Sequence, residues 1–281
     1  MATAVHSSTQ AEQQRALEGK VALVTGSSRG IGRGIAQRFA QLGASVVVNY
    51  VQDEAAGRAT FESVSASNVS GLLVRADVSE PDQLTRLIEQ ATAHFGGLDF
   101  FVHSALGNLL GFLTPPLATT LAQFETAFQC QSRAFFVGVN AAAPALREGG
   151  RVIALSYWPG AHLGGFQGYF SMGTNKAAIE AMCRYYAVAL APRRITVNAV
   201  CAGITDDSIV NALPQPVQDS MLGWLRGGWS PSGRPTVPAD VAGAVAALCS
   251  DDAAWITGQT IVADGGASLM NPEVPLDFQR P

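Results

Sequence analysis

A glycine-rich segment near the start of the chain has the composition of an anion-binding loop. Residues 25–32 read TGSSRGIG, between the apolar run 21–25 and the helical pattern GRGIAQRFAQLG. Glycine permits a tight turn and close backbone approach to a pyrophosphate, while the N–H groups and dipole of a helix N-terminus favour negative charge. This placement favours a nucleotide site over a merely tight turn. The predicted contacts come from Gly26, Ser28, Arg29, Gly30, Ile31 and Gly32.

The charges around the next apolar run indicate NADP(H) rather than NAD(H). NAD sites usually place Asp or Glu at the end of the second strand for the ribose 2′-hydroxyl, whereas NADP sites supply a cation for the 2′-phosphate. Here the run ends in Asn49 and Tyr50, and no carboxylate appears before Asp53. Arg29 lies in the loop itself. We therefore expect Arg29, Asn49 and Tyr50 to surround the 2′-phosphate end of NADP(H).

The elements that must position this loop are seven short apolar runs, each followed by a longer amphipathic stretch. The runs lie at 21–25, 45–49, 72–76, 99–103, 151–155, 195–200 and 259–263. Such alternation, with strands apolar on both faces, predicts a doubly wound α/β fold with helices on both sides of a parallel sheet. With no linker composition in between, residues 17–268 are expected to form one domain. Residues 1–16 are expected to be a mobile tail, and 269–281 a tail or an arm on a neighbouring subunit.

Composition and charge exclude several other classes of protein. The chain has 18 basic and 22 acidic residues, a formal charge of −4, and no basic cluster that would attract nucleic acid. The longest uncharged stretch, 152–175, contains five glycines and a proline, which argues against a membrane span. The cysteines and histidines lack metal-ligand spacing, so no metal is expected. The first residues lack a secretory signal, which leads us to expect a cytoplasmic location.

Several motifs together resemble the short-chain dehydrogenase/reductase family. They are TGSSRGIG at 25–32, DV at 77–78, a Ser/Tyr/Lys group, NAV at 198–200 and DGG at 264–266. The resemblance covers about residues 18–268 and implies a Rossmann-type sheet of about seven strands, an NAD(P)(H) cofactor and a homotetramer or homodimer. It also implies cofactor contacts from Asp77, Val78, Ser104, Ala105, Lys176, Gly203 and Ile204. Asp77 is alternatively a helix cap, and DGG reads as a structural turn.

Departures within the site are similar to the divergent branch of the family, the enoyl-acyl-carrier-protein reductases. Most members have a tyrosine four residues before the lysine, where this chain has Met172, and the nearest upstream tyrosine, Tyr169, gives a Y-x6-K pattern. The sequence FVHS at 101–104 resembles that of some enoyl reductases, and Cys130 stands where the family usually has Asn. In contrast, the TGSSRGIG loop is of the ketoreductase type.

The resemblance implies roles for four catalytic candidates. Tyr169 would hydrogen-bond the substrate carbonyl, and Lys176 would lower the pKa of that tyrosine and hold the nicotinamide ribose. Residues seven apart share a helix face in any helix, so a structural contact is the alternative. Ser156 is either a substrate-orienting serine or strand-end packing, and Tyr157 a second donor or an aromatic wall. Which of these two faces the substrate stays open.

The displaced tyrosine has a chemical meaning. In ketone reduction the hydride reaches the carbonyl carbon, whereas in conjugate reduction it reaches the β-carbon and negative charge develops on a thioester oxygen two carbons away. We therefore predict an NADPH-dependent reductase that resembles enoyl-thioester reductases, acting on a small-molecule or carrier-bound acyl substrate in fatty-acid or polyketide biosynthesis. The alternatives are a ketoreductase of the same family and an NADP(H)-binding protein with weakened or non-redox chemistry.

The remaining chemically capable residues have plainer interpretations. His103 and Cys130 are expected to pack in the core. Aromatic side chains that either line a pocket or lid or belong to the core are Phe112, Trp158, Phe166 and those of the stretch 221–229. The uncharged run 152–175 would give the tyrosines a dry pocket that suits an apolar acyl chain.

Overall fold

In a computed structural model, which describes residues 15–107, 113–157, 167–207 and 210–279, the chain is built on one parallel seven-stranded sheet. The strands are β1 Val21–Val24, β2 Ser45–Tyr50, β3 Gly71–Arg75, β4 Leu98–His103, β5 Leu146–Tyr157, β6 Thr196–Ala202 and β7 Thr260–Ala263. Their order in the sheet is β3-β2-β1-β4-β5-β6-β7, so the chain reverses direction of winding between β3 and β4. All seven predicted strands are confirmed. Strand β5 begins five residues early because Leu146 pairs with Leu98 ahead of an irregularity in the ladder.

Helices cover both faces of the sheet, as predicted. They are α1 Gly30–Gln41, α2 Glu54–Ser65, α3 Pro81–Phe95, α4 Leu121–Phe128, α5 Ala134–Ala142, α6 Phe170–Leu190, α7 Gln215–Trp224 and α8 Pro238–Leu248. Two widened π-helical turns extend α4 and α7, at Gln129–Arg133 and Leu225–Trp229. Side chains of α3, α5 and α6 share one core with the sheet, and those of α1 and α8 share the other. Adjacent strand residues alternate between the two cores: Leu23 faces the first and Val24 the second.

Burial differs between the two ends of the described part of the chain. Leu17 is buried and its N–H donates to the Leu42 carbonyl, whereas Leu269 and Phe278 are exposed. The residues before 15 lie outside the described part of the chain, so the predicted mobile tail stays a prediction. Within the described ranges no helix is long and apolar enough to cross a membrane. The same ranges contain no group of three or more His, Cys, Asp or Glu side chains that could hold a metal ion.

Candidate active site

The glycine loop lies at the carboxyl end of β1 and is packed too tightly for larger residues. Gly26 has φ +63°, and a Cβ there would lie 2.7 Å from the Cα of Ala105. A Cβ on Gly32 would lie 2.4 Å from the Gly26 carbonyl oxygen. Both positions therefore require glycine, as the sequence predicted. Without side chains there, the loop backbone can approach a phosphate group closely.

A buried asparagine at the end of β2 supports this loop from below. The Oδ1 of Asn49 accepts from the Gly26 N–H at 2.9 Å, and its Nδ2 donates to the Ala76 carbonyl at 3.0 Å. Ser27 completes the support, since its hydroxyl accepts from the Asn49 N–H at 2.9 Å and donates to the Val24 carbonyl. Asn49 is fully buried and Tyr50 nearly so. The side chain of Asn49 thus shapes the loop, and its direct contact with a cofactor stays a prediction, as does that of Tyr50.

A second support ties the loop to β4. The hydroxyl of Thr25 accepts from the N–H groups of Ser104 at 3.0 Å and Ala105 at 3.2 Å, and the Thr25 N–H donates to the Val102 carbonyl. Sequence reasoning predicted Ser104 and Ala105 at the cofactor but missed Thr25. The ends of β1 and β4 therefore meet where the strand order changes, which is where open α/β sheets bind their ligands.

The N-terminus of α1 has the charge distribution of an anion site. Its first turn carries no acidic residue, and no side chain caps it. Arg29 precedes the helix with an exposed side chain, and Ser28 is held by Arg33, whose Nε and Nη2 donate to the Ser28 carbonyl at 3.0 and 2.6 Å. Gly30 and Ile31 begin the helix and are partly exposed. These residues fit a dinucleotide pyrophosphate, with Arg29 available for a further phosphate.

Asp77 caps a turn with one of its two carboxylate oxygens. Its Oδ1 accepts from the N–H and the hydroxyl of Ser79, at 2.9 and 2.7 Å, just before α3 begins. The helix-cap alternative for Asp77 is wrong, because Glu80 is the residue before α3 and no side chain caps that helix. The turn cap at Ser79 leaves Oδ2 of Asp77 for an adenine. The next side chain, Val78, is buried.

Two tyrosines face each other at the carboxyl edge of β5. The rings of Tyr157, the last residue of β5, and Tyr169, just before α6, have centroids 4.8 Å apart and are inclined at 59°. Burial raises the pKa of Tyr157 to about 12, and burial together with Tyr157 raises that of Tyr169. The expected lowering of the Tyr169 pKa by Lys176 is therefore wrong, because burial dominates. Both side chains are neutral hydroxyls that can donate a hydrogen bond. Met172 is fully buried beside Tyr169.

Ser156 points away from the tyrosine pair. Its hydroxyl donates to Oε1 of Glu180 at 2.5 Å, and the thiol of Cys201 donates to the same oxygen at 3.3 Å. Ser156 and Cys201 are partners in the β5–β6 register, which explains why both side chains reach the same helix, α6. Sequence reasoning missed Glu180, although its spacing of four from Lys176 in an apolar helix was a usable signal. The structure thus pairs Tyr157, rather than Ser156, with Tyr169.

Lys176 lies on the buried face of α6 and is held by the strand. Its Nζ donates to the Leu155 carbonyl at 2.7 Å, and only 4% of the residue is exposed. Burial lowers the pKa of this ammonium to about 8, opposed by the neighbouring Cys130, Cys201 and Glu180. Such a group changes charge close to neutral pH, which is typical of active-site lysines.

The widened turn after α4 contributes a buried amide to the same region. Gln131 Nε2 donates to the carbonyls of Ala105 and Leu106, both at 3.0 Å. Cys130 is buried with a raised thiol pKa, caused mainly by desolvation, and packs with Tyr169 as expected for a core residue. The resemblance implied that Cys130 stands where the family usually has Asn, yet the next residue, Gln131, supplies a carboxamide to this turn. Residue spacing alone did not reveal it.

His103 is buried at the end of β4 beside the site. Neither ring nitrogen has a hydrogen-bond partner among the described residues, and burial, helped by Lys176, lowers its pKa to about 3. The imidazole lies 5.6 Å from the Phe135 ring, centroid to centroid, so it packs in the core as predicted.

The segment after β6 brings an aromatic pair to this end of the sheet. Gly203 and Ile204 follow β6, and Arg226 binds Asp206 at 3.2 Å, which attaches the turn after α7 to this loop. Trp224 and Trp229 are stacked, with centroids 5.2 Å apart and planes inclined at 7°. The other predicted pocket aromatics, at positions 112, 158 and 166, lie outside the described residues. The DGG turn is structural as expected, since Asp264 accepts from two backbone N–H groups.

Comparison with known sequences shows which proteins this chain resembles. A family model described as enoyl-(acyl carrier protein) reductase matches residues 26–268. A hydroxynaphthalene reductase-like protein of Metarhizium brunneum is 34% identical, over 91% of this chain and 97% of its own length. The versicolorin reductase of Emericella nidulans is 36% identical, over 89% and 96%. The 1-cyclohexenylcarbonyl-CoA reductase of Streptomyces collinus is 34% identical, over 93% and 91%.

Solved structures agree with the fold and the sequence relationship. A short-chain dehydrogenase of Burkholderia cenocepacia in complex with NADP superimposes with a TM-score of 0.79 at 29% identity, covering 90% of this chain and 99% of that one. An angucycline C-6 ketoreductase with bound NADP gives 0.81 at 31% identity, covering 91% and 98%. The chain is thus similar over nearly its whole length to reductases of known structure.

Proposed function

Because the chain belongs to the short-chain dehydrogenase/reductase family, we propose that it is an NADPH-dependent enoyl-thioester reductase. The observation that carries the proposal is the contact of Tyr157 with Tyr169, while Ser156 turns away to Glu180. A carbonyl reductase of the usual kind needs a serine and a tyrosine directed at one carbonyl. Here the neutral side chains of Tyr157 and Tyr169 contact each other instead. Tyr169 has the longer spacing from Lys176 that would suit conjugate reduction.

NADPH is the proposed cofactor. Gly26, Gly30 and the N-terminus of α1 would hold the pyrophosphate, and the exposed Arg29 would bind the 2′-phosphate. Asp77 Oδ2 would accept from the adenine amino group. Relatives of known structure with bound NADP support this assignment. Lys176 uses one of its three N–H donors on Leu155, which leaves two for the nicotinamide ribose.

The chemistry divides between the cofactor and the side chains. When bound, NADPH would supply the hydride for the new C–H bond at the β-carbon of the substrate. Tyr169 donates a hydrogen bond to the thioester oxygen, where negative charge develops as the C=C bond is broken. The ring of Tyr157 limits where that oxygen can lie. A proton delivered to the α-carbon, through Tyr169 or water, completes the saturated product.

One assay tests the proposal. We expect NADPH oxidation with a crotonyl thioester, and an approximately 100-fold or greater loss of kcat in Tyr169→Phe, because the enolate loses its donor. Tyr185→Phe, at an exposed tyrosine of α6, is the matched control and is expected to retain wild-type rates. NADPH binding, followed by fluorescence, is expected to be equal in all three proteins. Turnover of acetoacetyl but not crotonyl thioesters by the wild type would refute the enoyl assignment.

A second candidate is a ketoreductase acting on aromatic polyketide-type substrates. It is favoured by the similarity to versicolorin reductase and to the angucycline ketoreductase, and by the stacked Trp224 and Trp229, which offer a flat apolar surface. Turnover of quinone substrates in the same assay would select it. NADPH binding with no turnover of any substrate would indicate a cofactor-binding protein with weakened chemistry.

We also propose that the chain acts as a homodimer or homotetramer. Large apolar side chains are exposed on α5, on α6 and after α8: Phe136, Val188 and Trp255. Covering such side chains between subunits would remove apolar surface from water, which is favourable. Light scattering coupled to gel filtration is expected to give a mass two or four times that of the chain.

A further inference from the structure

The buried carboxylate of Glu180 has no part in the chemistry described above, yet it lies at its centre. Oε1 of Glu180 accepts from Ser156 on β5 and from Cys201 on β6, so one oxygen joins the ends of two adjacent strands. Tyr157 follows Ser156 directly. Four residues before Glu180 on the same helix is Lys176, and both side chains are about 95% buried.

The charge of Lys176 needs a partner in this apolar environment. Its titratable surroundings come from four elements of the fold: His103 of β4, Cys130 after α4, Glu180 of α6 and Cys201 of β6. The pKa of Cys201 is raised to about 12 by burial, that of Cys130 is also raised, and that of His103 is lowered to about 3. These three groups are therefore neutral where Lys176 titrates, and Glu180 is the remaining acidic side chain among these neighbours.

We propose that Glu180 is a positioning residue: through Ser156 it fixes the end of β5 that carries Tyr157, and its charge balances the ammonium of Lys176. The inference rests on the proposed function for its catalytic consequence, since a protonated Lys176 is what would hold the cofactor ribose. The electrostatic part concerns the protein alone. A charge buried without a partner is costly, so the two side chains are expected to depend on each other.

The chain offers an unusually clean test, because it contains only two lysines, Lys20 and Lys176. In cofactor-free protein labelled with ¹³C at lysine Cε, NMR shows one signal from each, and the half-exposed Lys20 is the internal reference. Glu180→Gln keeps an oxygen acceptor but removes the acidic group, and it is expected to lower the titration midpoint of Lys176. Glu89→Gln, at an exposed position on α3, is the matched control and should leave the midpoint unchanged.

Ser156→Ala separates the two parts of the proposal. It removes the hydrogen bond and keeps the charge, so the Lys176 midpoint should move by less than about 0.3 units, while kcat falls about tenfold on whichever substrate the wild type reduces. An unchanged Lys176 midpoint in Glu180→Gln would overturn the proposed charge balance. An unchanged kcat in Ser156→Ala would overturn the proposed positioning of Tyr157. The Lys176 titration midpoints are measured without turnover, so they test the charge balance even if the protein does not reduce a crotonyl thioester. If wild type reduces no substrate tested, an unmoved Tyr157 ring signal in Ser156→Ala would likewise overturn the positioning.

A double variant covers the case in which Glu180→Gln is too unstable to titrate. Adding Lys176→Met removes the cation that is left without a partner when Glu180 is replaced. The double variant is therefore expected to melt several degrees above Glu180→Gln alone. A double variant no more stable than the single one would overturn the charge balance.

Discussion

The low pKa of Lys176 should be visible in the stability of the cofactor-free protein. The folded chain releases this proton near pH 8, whereas the unfolded chain keeps it to about pH 10.5. Between these values unfolding takes up a proton, so each pH unit adds about 1.4 kcal/mol to the free energy of unfolding. Replacing Lys176 by Met removes this dependence. The wild type is therefore expected to gain about 3 kcal/mol relative to Lys176→Met as the pH rises from 8 to 10.5.

Urea unfolding of both proteins at half-unit steps from pH 7 to 10.5 measures the difference. A constant offset, such as the lost hydrogen bond to Leu155, cancels when only its change with pH is considered. Lys20→Met is the matched control, because it removes the other lysine of the chain. The quantity of interest is the free energy of unfolding of wild type minus that of Lys176→Met. If it stays constant from pH 7 to 10.5, burial does not lower the pKa of Lys176. If it falls, the pKa of Lys176 is raised in the folded protein.

Three further predictions follow from other parts of the site. Gly26→Ala, forced against Ala105 at positive φ, is expected to lose about 1–3 kcal/mol in urea unfolding and to bind NADPH weakly. Gly223→Ala, with no atom within 4 Å of the added carbon, should lose nothing. Arg29→Ala should raise the Kd for NADPH about 10- to 100-fold by fluorescence titration and leave that for NADH nearly unchanged. His103→Asn should remove an acid sensitivity: below pH 6.5 the wild type is expected to lose about 1.4 kcal/mol per pH unit relative to the variant, because only the unfolded chain protonates His103.

The sheet and its glycine loop could be predicted because they depend on local patterns. Each strand is a short apolar run, and Gly26 stands where a turn must follow one. The early start of β5 escaped notice, since Leu146 pairs with Leu98 but is followed by the polar residues REGG. A strand that crosses an irregularity in its ladder loses the apolar signature by which strands are recognised.

The details of the site depended on contacts between distant residues. Whether Ser156 or Tyr157 faces Tyr169 is decided by Glu180, which lies 24 residues from Ser156 along the chain and draws its hydroxyl away. Asn49 was expected at the cofactor because strand ends usually contact one, yet its amide is taken by two backbone groups of neighbouring segments. Sequence spacing places a residue at the right edge of the sheet, but its partners decide which way it points.

The hydrogen bonds from Ser104 and Ala105 to Thr25, which join the ends of β1 and β4, affect how the protein acquires its binding site during folding. Thr25 accepts from backbone groups 79 and 80 residues later in the chain, and β2 and β3 intervene in sequence. Such a long loop closes slowly, so this contact forms after local helices have appeared. In a refolding experiment, NADPH fluorescence should therefore recover later than the helical signal. The cofactor would then act as a reporter of the strand pairing with the largest sequence separation in the sheet, and its capture would make that pairing harder to reverse.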